Sequence, residues 1–324
     1  MRRVLAPVLV LLFLTGCTPA GTGPVEAGNF LLDTYVSIRL YDGSEETARE
    51  ALELCRAYEL VFSRTDADSE LCRLNSRETD TVSRELADVI SLGLDYGRLT
   101  GGAFDITMGS VTQLWDFHAE EPVLPDEGDI AEALSHVGWE KVRVEGTRVL
   151  FDDPETMLDL GGIAKGYIAD RLADYLREAG VTSAIIDLGG NLYCLGQRPD
   201  GQDFRAGIRH PEGAQNQSIG VLPIHDRSVV TSGRYERCFT LDGTSYHHIL
   251  SPATGWPAET GLASVTIVSD LGVDGDALST ACFVLGREAG MALVESLEGV
   301  EAVFIDDHLV AEVSSGLEDV FQLL

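Results

Sequence analysis

The chain has 324 residues, 44% hydrophobic and 7% aromatic, enough apolar material to bury a core and to exclude wholesale disorder. Its 53 acidic residues outnumber 23 basic ones, for a formal net charge of −30. Such a surface repels nucleic-acid phosphates and no basic run offsets it, which sets nucleic acid aside as a partner; an anionic small ligand needs a local cation or a metal ion.

Met1-Arg2-Arg3 followed by apolar Val4 to Leu14 is too short to span a bilayer as a helix and reads as a signal segment. It closes on Leu14-Thr15-Gly16-Cys17, which resembles a bacterial lipobox ending at the lipidated cysteine. The alternative is a plain signal peptide that happens to contain Cys17; small residues leading straight into the cysteine, with no better cleavage site after it, favour the lipobox. Removing residues 1–17 leaves 21 basic residues against 53 acidic, or −32. Residues 18–28, rich in Pro, Gly and Thr, read as a flexible tether, and 29–324 as one domain. The expected location is outside the cell interior, anchored at the outer face of the cytoplasmic membrane or in the periplasm. Five cysteines remain, an odd number with no metal-type spacing, so at most one disulfide is open and no chemistry is assigned.

Asn29 to Leu40 is partly β-branched and reads as one strand. Ser44 can cap a helix with Ala48, Leu52, Cys55, Tyr58 and Phe62 on one face, and Ser83 a second that ends at Gly101-Gly102. Between them, Ser63 to Asn75 is turn-rich and reads as a loop. AFDITMGSVTQLWDF has no usable period. A short helix over Asp129 to His136 and a hairpin turning at Glu145-Gly146 follow. Asp159-Leu160-Gly161-Gly162 leads into a helix ending at Gly180, then SAIIDLG is a buried strand. Further strands are predicted over 204–208, 228–232, 238–241, 264–269 and 302–305, and helices from near Asp276 and through 287–297. The order of elements lacks a clean βαβ alternation, so the expected class is α+β, a single large mixed-sheet domain with packed helices.

Three places can carry chemistry. Gly161-Gly162-Ile163-Ala164-Lys165-Gly166 enters a helix N-terminus, where free N–H groups and the dipole favour an anion. It matches neither GxxxxGK[ST] nor GxGxxG, and a turn whose glycines only allow close packing is an equally good reading. Asp276 and Thr280, four apart, share a helix face and offer two oxygens that suit a hard cation such as Mg²⁺; taken alone, Asp276 is better read as a helix cap. His247 and His248, two of seven histidines, precede a loop stiffened by Pro252, Gly255 and Pro257. Either could act as a general base or simply be a core histidine.

The order of the segments FLLDTYVSI, FSRTDADSELCRLN, TGGAFDITMGSV, DLGGIAKGYIAD, IIDLGGNLYCLG, TSGRYERCF, YHHILSPATGWP and DALSTACFVLG resembles the ApbE family of FAD:protein FMN transferases, from Phe30 to Gly286. The resemblance implies Mg²⁺-dependent transfer of FMN from FAD to a threonine hydroxyl of an exported flavoprotein, with a phosphoester formed and AMP released. It implies that Asp159 and Lys165 contact FAD, that the Gly162 carbonyl, Asp276 and Thr280 hold Mg²⁺, and that His248 is the base. Ala103, Phe104, Asp105 and Leu250 are implied to line the FAD site, as are Leu32 and Thr65 in their segments. Acceptors implied are flavin-carrying subunits of membrane electron-transport complexes. The chain departs from the family pattern at Leu32, where many members have Met, at Thr65, where several carry an aromatic, and at Ser251, commonly acidic. The Thr65 departure keeps FAD pyrophosphatase activity open as an alternative, and a flavin-binding lipoprotein without turnover is the other. The second Asp-Leu-Gly-Gly, with Asn191, is expected to pack beneath the site.

Overall fold

The computed structural model describes residues 23–117, 119, 121–214 and 216–324. The signal segment, Cys17 and the first part of the expected tether lie outside these residues. The rest of that tether is corrected: the chain enters the sheet at Val25, in strand β1 (Val25–Leu31), because its register with β2 (Thr34–Leu40) runs the full length of both, from Val25 opposite Leu40 to Leu31 opposite Thr34. The single strand read over 29–40 is therefore a hairpin. Leu32 and Asp33 both sit at positive φ, 55° and 56°, the backbone of a type I′ turn that matches strand twist. A leucine there costs roughly 1 kcal/mol.

The caps read from sequence are in place. Ser44 accepts from the Thr47 amide at the start of α1 (Glu45–Phe62). The loop read over 63–75 is shorter than expected, because Ser69 caps a short helix α2 (Glu70–Asn75) whose Leu71 and Leu74 are buried. Ser83 caps α3 (Arg84–Leu99), and Gly101 and Gly102 stop it at φ 62° and 86°. The unperiodic stretch beyond it is mostly turn, with α4 (Gly109–Thr112); α5 (Glu127–Ser135) starts two residues before its expected place, at the Asp126 cap. In the hairpin of β3 (Val142–Glu145) and β4 (Arg148–Phe151), Glu145 pairs with Arg148, so the turn is Gly146-Thr147 and not Glu145-Gly146.

Helix α6 (Ala164–Glu178) leads to β5 (Ser183–Leu188) and β6 (Asn191–Gly196). Then come β7 (Phe204–Arg209), β8 (Ser218–Ile224), β9 (Arg227–Gly233), a hairpin of β10 (Cys238–Leu241) and β11 (Thr244–His247), and β12 (Leu262–Ser269). The chain closes with α7 (Gly272–Leu285), α8 (Arg287–Glu295), β13 (Val300–Asp306), β14 (Ala311–Val313) and β15 (Gln322–Leu323).

The α+β class holds. Eight strands form one sheet in the order β1-β2-β5-β6-β9-β12-β13-β14, antiparallel at every pairing. Strand β12 is buried at all eight positions because both faces of the sheet are covered. Val265 and Ile267 join the core shared with α1, α3, α6 and α7; Val268 joins a second one built with β7 and β8. The described cysteines are all unpaired, so the disulfide left open by the sequence does not form.

Two helices meet where no side chain fits. A Cβ on Gly166 of α6 would lie 2.2 Å from the Gly272 carbonyl oxygen of α7, and one on Gly272 would lie 2.6 Å from the Gly166 oxygen. Backbone cannot yield as a flexible side chain does. Gly166→Ala is expected to destabilise the protein by about 3 kcal/mol, seen as a lower urea midpoint at unchanged slope; a midpoint equal to the parent's would contradict the contact.

Candidate functional site

The turns 32–33 and 189–190 and the C-terminal end of β9 all fall at one end of the large sheet, as the pairings of Val36 with Leu188 and of Asn191 with Val230 require. Over that end lie the first turn of α6 and the middle of α7. Helix α7 begins at Gly272, four residues before the expected start, because the Asp170 carboxylate of α6 accepts the amides of Gly272 (2.6 Å) and Val273 (3.0 Å). Asp276 is thus inside the helix and does not cap it. It caps α6 instead: its Oδ2 accepts the Gly166 amide at 2.9 Å. Asp276 is 4% exposed, and its Oδ1 faces the Lys165 ammonium at 3.6 Å. Thr280, one turn on, lies beside Ser232 of β9 (3.3 Å between hydroxyls). The Gly162 backbone approaches so closely that a Cβ there would sit 3.6 Å from Thr280 Oγ1 and 3.1 Å from the Phe104 ring. Gly162, Lys165, Asp276 and Thr280, 118 residues apart at the extremes, form one cluster of oxygens with a cation beside it.

The N–H groups expected to be free at the start of α6 are in part taken. The amides of Ile163 and Ala164 both donate to the Leu160 carbonyl, and that of Gly166 is taken by Asp276. The Lys165 side chain adds a cation there. Asp159 is also engaged: Oδ1 accepts the Gly161 amide (2.9 Å), while Oδ2 accepts from Thr112 (2.7 Å) and pairs with Arg64 (3.2 Å). Thr65 does not point the same way; it is exposed, with its hydroxyl 3.4 Å from Ser63 Oγ, and Arg64 is what reaches the site from this loop. Leu32 is held nearby through its amide, which donates to Glu59 at the end of α1 (2.6 Å).

Phe104 is buried edge-on against Tyr96 and touches Gly162, and Ala103 precedes it. Asp105 is engaged within the chain. Its oxygens accept the Thr107 amide and hydroxyl and the Trp139 amide, so it ties the 103–107 segment to the residues after α5. Burial raises its pKa and those three bonds oppose the rise. Leu250 packs in a separate apolar cluster with Met108, Val111, Trp115, Ile130 and Ala133. Of the second Asp-Leu-Gly-Gly, Gly189 and Gly190 form the β5–β6 turn at φ 68° and 98°, and a Cβ on Gly189 would collide with Thr34.

Both histidines bury an Nδ1 with no hydrogen-bond partner among the described residues, but their settings differ. His247 ends β11, buried edge-on against Phe283 of α7, and burial pushes its pKa down to about 4. His248 is half-buried with an Nδ1 that has no hydrogen-bond partner among the described residues. Burial, then Arg237, His247 and Lys165, hold its pKa down to about 3. It is a neutral imidazole at neutral pH, and Lys165 of the cluster is one of the cations that keep it so.

The ApbE family's sequence profile matches residues 32–304. The chain belongs to the ApbE family. Curated relatives named FAD:protein FMN transferase include one of Treponema pallidum, 36% identical over 85% of this chain and 81% of its own, and one of Klebsiella pneumoniae, 36% identical over 85% and 87%. A solved ApbE protein of Thermotoga maritima superposes with a TM-score of 0.83 at 32% identity, covering 92% of this chain and 99% of its own. The flavin transferase ApbE of Vibrio cholerae gives 0.81 at 27% identity, covering 92% and 99%. Within this ApbE chain, sequence reading missed Arg64, Thr112, Ser232 and Asp170. Each acts across 47 to 102 residues of sequence, as in Thr112 to Asp159 and Asp170 to Gly272, so no local spacing marks them. Arg64, Asp170 and Ser232 stand inside segments that carried the resemblance, which was the only available signal.

Proposed function

We propose that this ApbE chain transfers FMN from FAD to a threonine hydroxyl of an exported acceptor protein, releasing AMP. The observation that carries the reading is the convergence of Gly162, Lys165, Asp276 and Thr280, with Lys165 also acting electrostatically on the neutral imidazole of His248. The names carried by the relatives support it.

The donor set fits Mg²⁺. A carboxylate, a hydroxyl and a backbone carbonyl are hard oxygen ligands. Asp276 Oδ1 already has a cation, the Lys165 ammonium, as its neighbour, and the described residues hold no cluster of three His, Cys, Asp or Glu that would prefer a softer ion. Asp276, Thr280 and the Gly162 carbonyl would hold the ion, and when bound it supplies neutralisation of pyrophosphate charge as the bond to AMP breaks. Lys165 contributes a second cation. His248 takes the acceptor proton, without which a threonine is a poor nucleophile. Phe104 walls the site, and Arg64 and Thr112 hold Asp159 at its rim.

The N-terminal sequence supports lipidation at Cys17, so the acceptor is expected among exported flavoprotein subunits of membrane electron-transport complexes. With the sheet starting at Val25, the linking chain spans at most roughly 30 Å, which keeps the domain near the membrane surface. The exposed, small Thr65 favours a second reading in which water replaces the acceptor and the products are FMN and AMP.

Purified protein mixed with FAD, Mg²⁺ and a candidate exported flavoprotein domain tests both. AMP release together with a fluorescent acceptor band on a denaturing gel is the expected result. AMP with free FMN and no band would replace transfer by hydrolysis, and no AMP at any metal concentration would leave only flavin binding.

A further inference from the structure

Arg237 lies in the TSGRYERCF segment but has no part in the reading above. It precedes β10, and the His248 amide donates to its carbonyl at 3.0 Å, extending the register in which Cys238 faces His247 and Phe239 faces Tyr246. Arg237 and His248 are therefore directly opposed, and opposed residues of an antiparallel pair project from the same face. The next pair on that face, Phe239 and Tyr246, stacks at 5.5 Å, and both rings pack into an aromatic group with Trp115, Phe117 and Trp256. The hairpin pairs with no other strand, so this packing is what fixes the Arg237–His248 pair in space.

The charges around it are out of balance. Arg234 pairs with Asp307 and Arg209 with Glu236, yet the Arg237 guanidinium has no ion-pair partner among the described residues, in a chain with 53 acidic side chains. Arg237 stands opposite His248 through the hairpin register, and the Lys165 ammonium stands 3.6 Å from Asp276 in the oxygen cluster; both cations lower the basicity of the His248 imidazole. Two cations of this kind attract a polyanion.

We propose that Arg237 and Lys165 form a two-cation cradle for the substrate's polyphosphate beside His248, with Arg237 contacting the phosphoryl group that is transferred. This rests on the flavin-transfer reading for the identity of the substrate. In the step, the bond from threonine Oγ to phosphorus forms and the bond from that phosphorus to the bridging anhydride oxygen breaks. AMP leaves with the bonding electron pair, and the hydroxyl proton goes to His248. The planar guanidinium can bind two phosphate oxygens at once, which an ammonium cannot.

The test compares the parent with Arg237→Gln and Arg237→Lys, using inorganic pyrophosphate and FAD as separate probes in the presence of Mg²⁺. Arg237→Gln is expected to weaken binding of both about ten- to hundred-fold, the range of one lost charge-assisted hydrogen bond. AMP release should fall by about a hundred-fold in kcat, with Arg237→Lys intermediate and added guanidinium ion restoring part of the Arg237→Gln rate. Binding of both probes and kcat within about two-fold of the parent would overturn the proposal. So would equal impairment of both variants without guanidinium rescue, which would mark Arg237 as a hairpin support. A parent that binds pyrophosphate through Arg237 but not FAD would keep the cradle and sink the flavin reading.

Discussion

Asp276→Asn is expected to abolish AMP release and flavin transfer while leaving the fold nearly as stable as the parent. Two roles meet in this side chain and the two substitutions separate them. Oδ2 accepts the buried Gly166 amide, and Oδ1 faces the Lys165 ammonium, one helical turn before Thr280. Asparagine can still accept from Gly166 but loses the charge that a divalent cation needs. Asp276→Ala loses both, leaving a buried N–H without a partner at about 1–3 kcal/mol. In a chain of this size each kcal/mol lowers the melting temperature by roughly 2–4 °C. The measurements are AMP release over a Mg²⁺ titration and thermal unfolding of the two variants. Retention of a tenth or more of the parent rate by Asp276→Asn at saturating Mg²⁺ would remove Asp276 from the metal site.

The second large effect is at His248. His248→Asn is expected to lower kcat by about 10²–10⁴, the usual contribution of a positioned base, with FAD binding unchanged. The imidazole is neutral well below its ordinary pKa of about 6.5. The acid limb of kcat/KM, which reports the free enzyme, should accordingly lie below pH 6.5. A polyphosphate bound beside Lys165 and Arg237 offsets their charge and raises the basicity of His248, so the limb of kcat should lie higher than that of kcat/KM.

The same burial makes stability depend on pH. Above pH 6.5 the histidine is neutral both folded and unfolded, and nothing is lost. Below it, the unfolded chain takes a proton that the folded chain refuses until about pH 3, so stability falls through that window. By pH 5 the loss attributable to His248 is about 1–2 kcal/mol. Asp170 acts in the opposite sense, since burial raises its pKa to about 6: its contribution is full below the ordinary carboxylate value and is lost as pH rises through 6. Comparing the parent with His248→Asn at pH 7 and pH 5 cancels the Asp170 part. The variant should lose less stability between the two; an equal loss would mean that the imidazole is not held neutral.

Much of the fold was legible because its causes are local. Ser44 and Ser83 mark helix starts by accepting an amide three residues on, and the face running from Ala48 to Phe62 repeats at helical spacing. Gly180 and the glycines at 101–102 stop helices through positive φ, a property of the residue itself. The i, i+4 spacing of Asp276 and Thr280 was visible for the same reason. The errors fall where partners are distant. One strand became a hairpin because Leu32 and Asp33 accept an αL turn that Glu59 holds from 27 residues away.

The candidate site divides along the same line. Sequence by itself determined the residue types, the helix faces and the family order that brought Asp159, Lys165, His248, Asp276 and Thr280 forward. Only the tertiary structure decided that Asp276 lies within α7 and caps α6, that Arg64 and not Thr65 reaches Asp159, and that Arg237 stands opposite His248. Those outcomes depend on the crossing of α6 and α7 at Gly166 and Gly272 and on the register of β10 with β11. Crossing and register are set by packing across the whole domain, so no short stretch of chain encodes them.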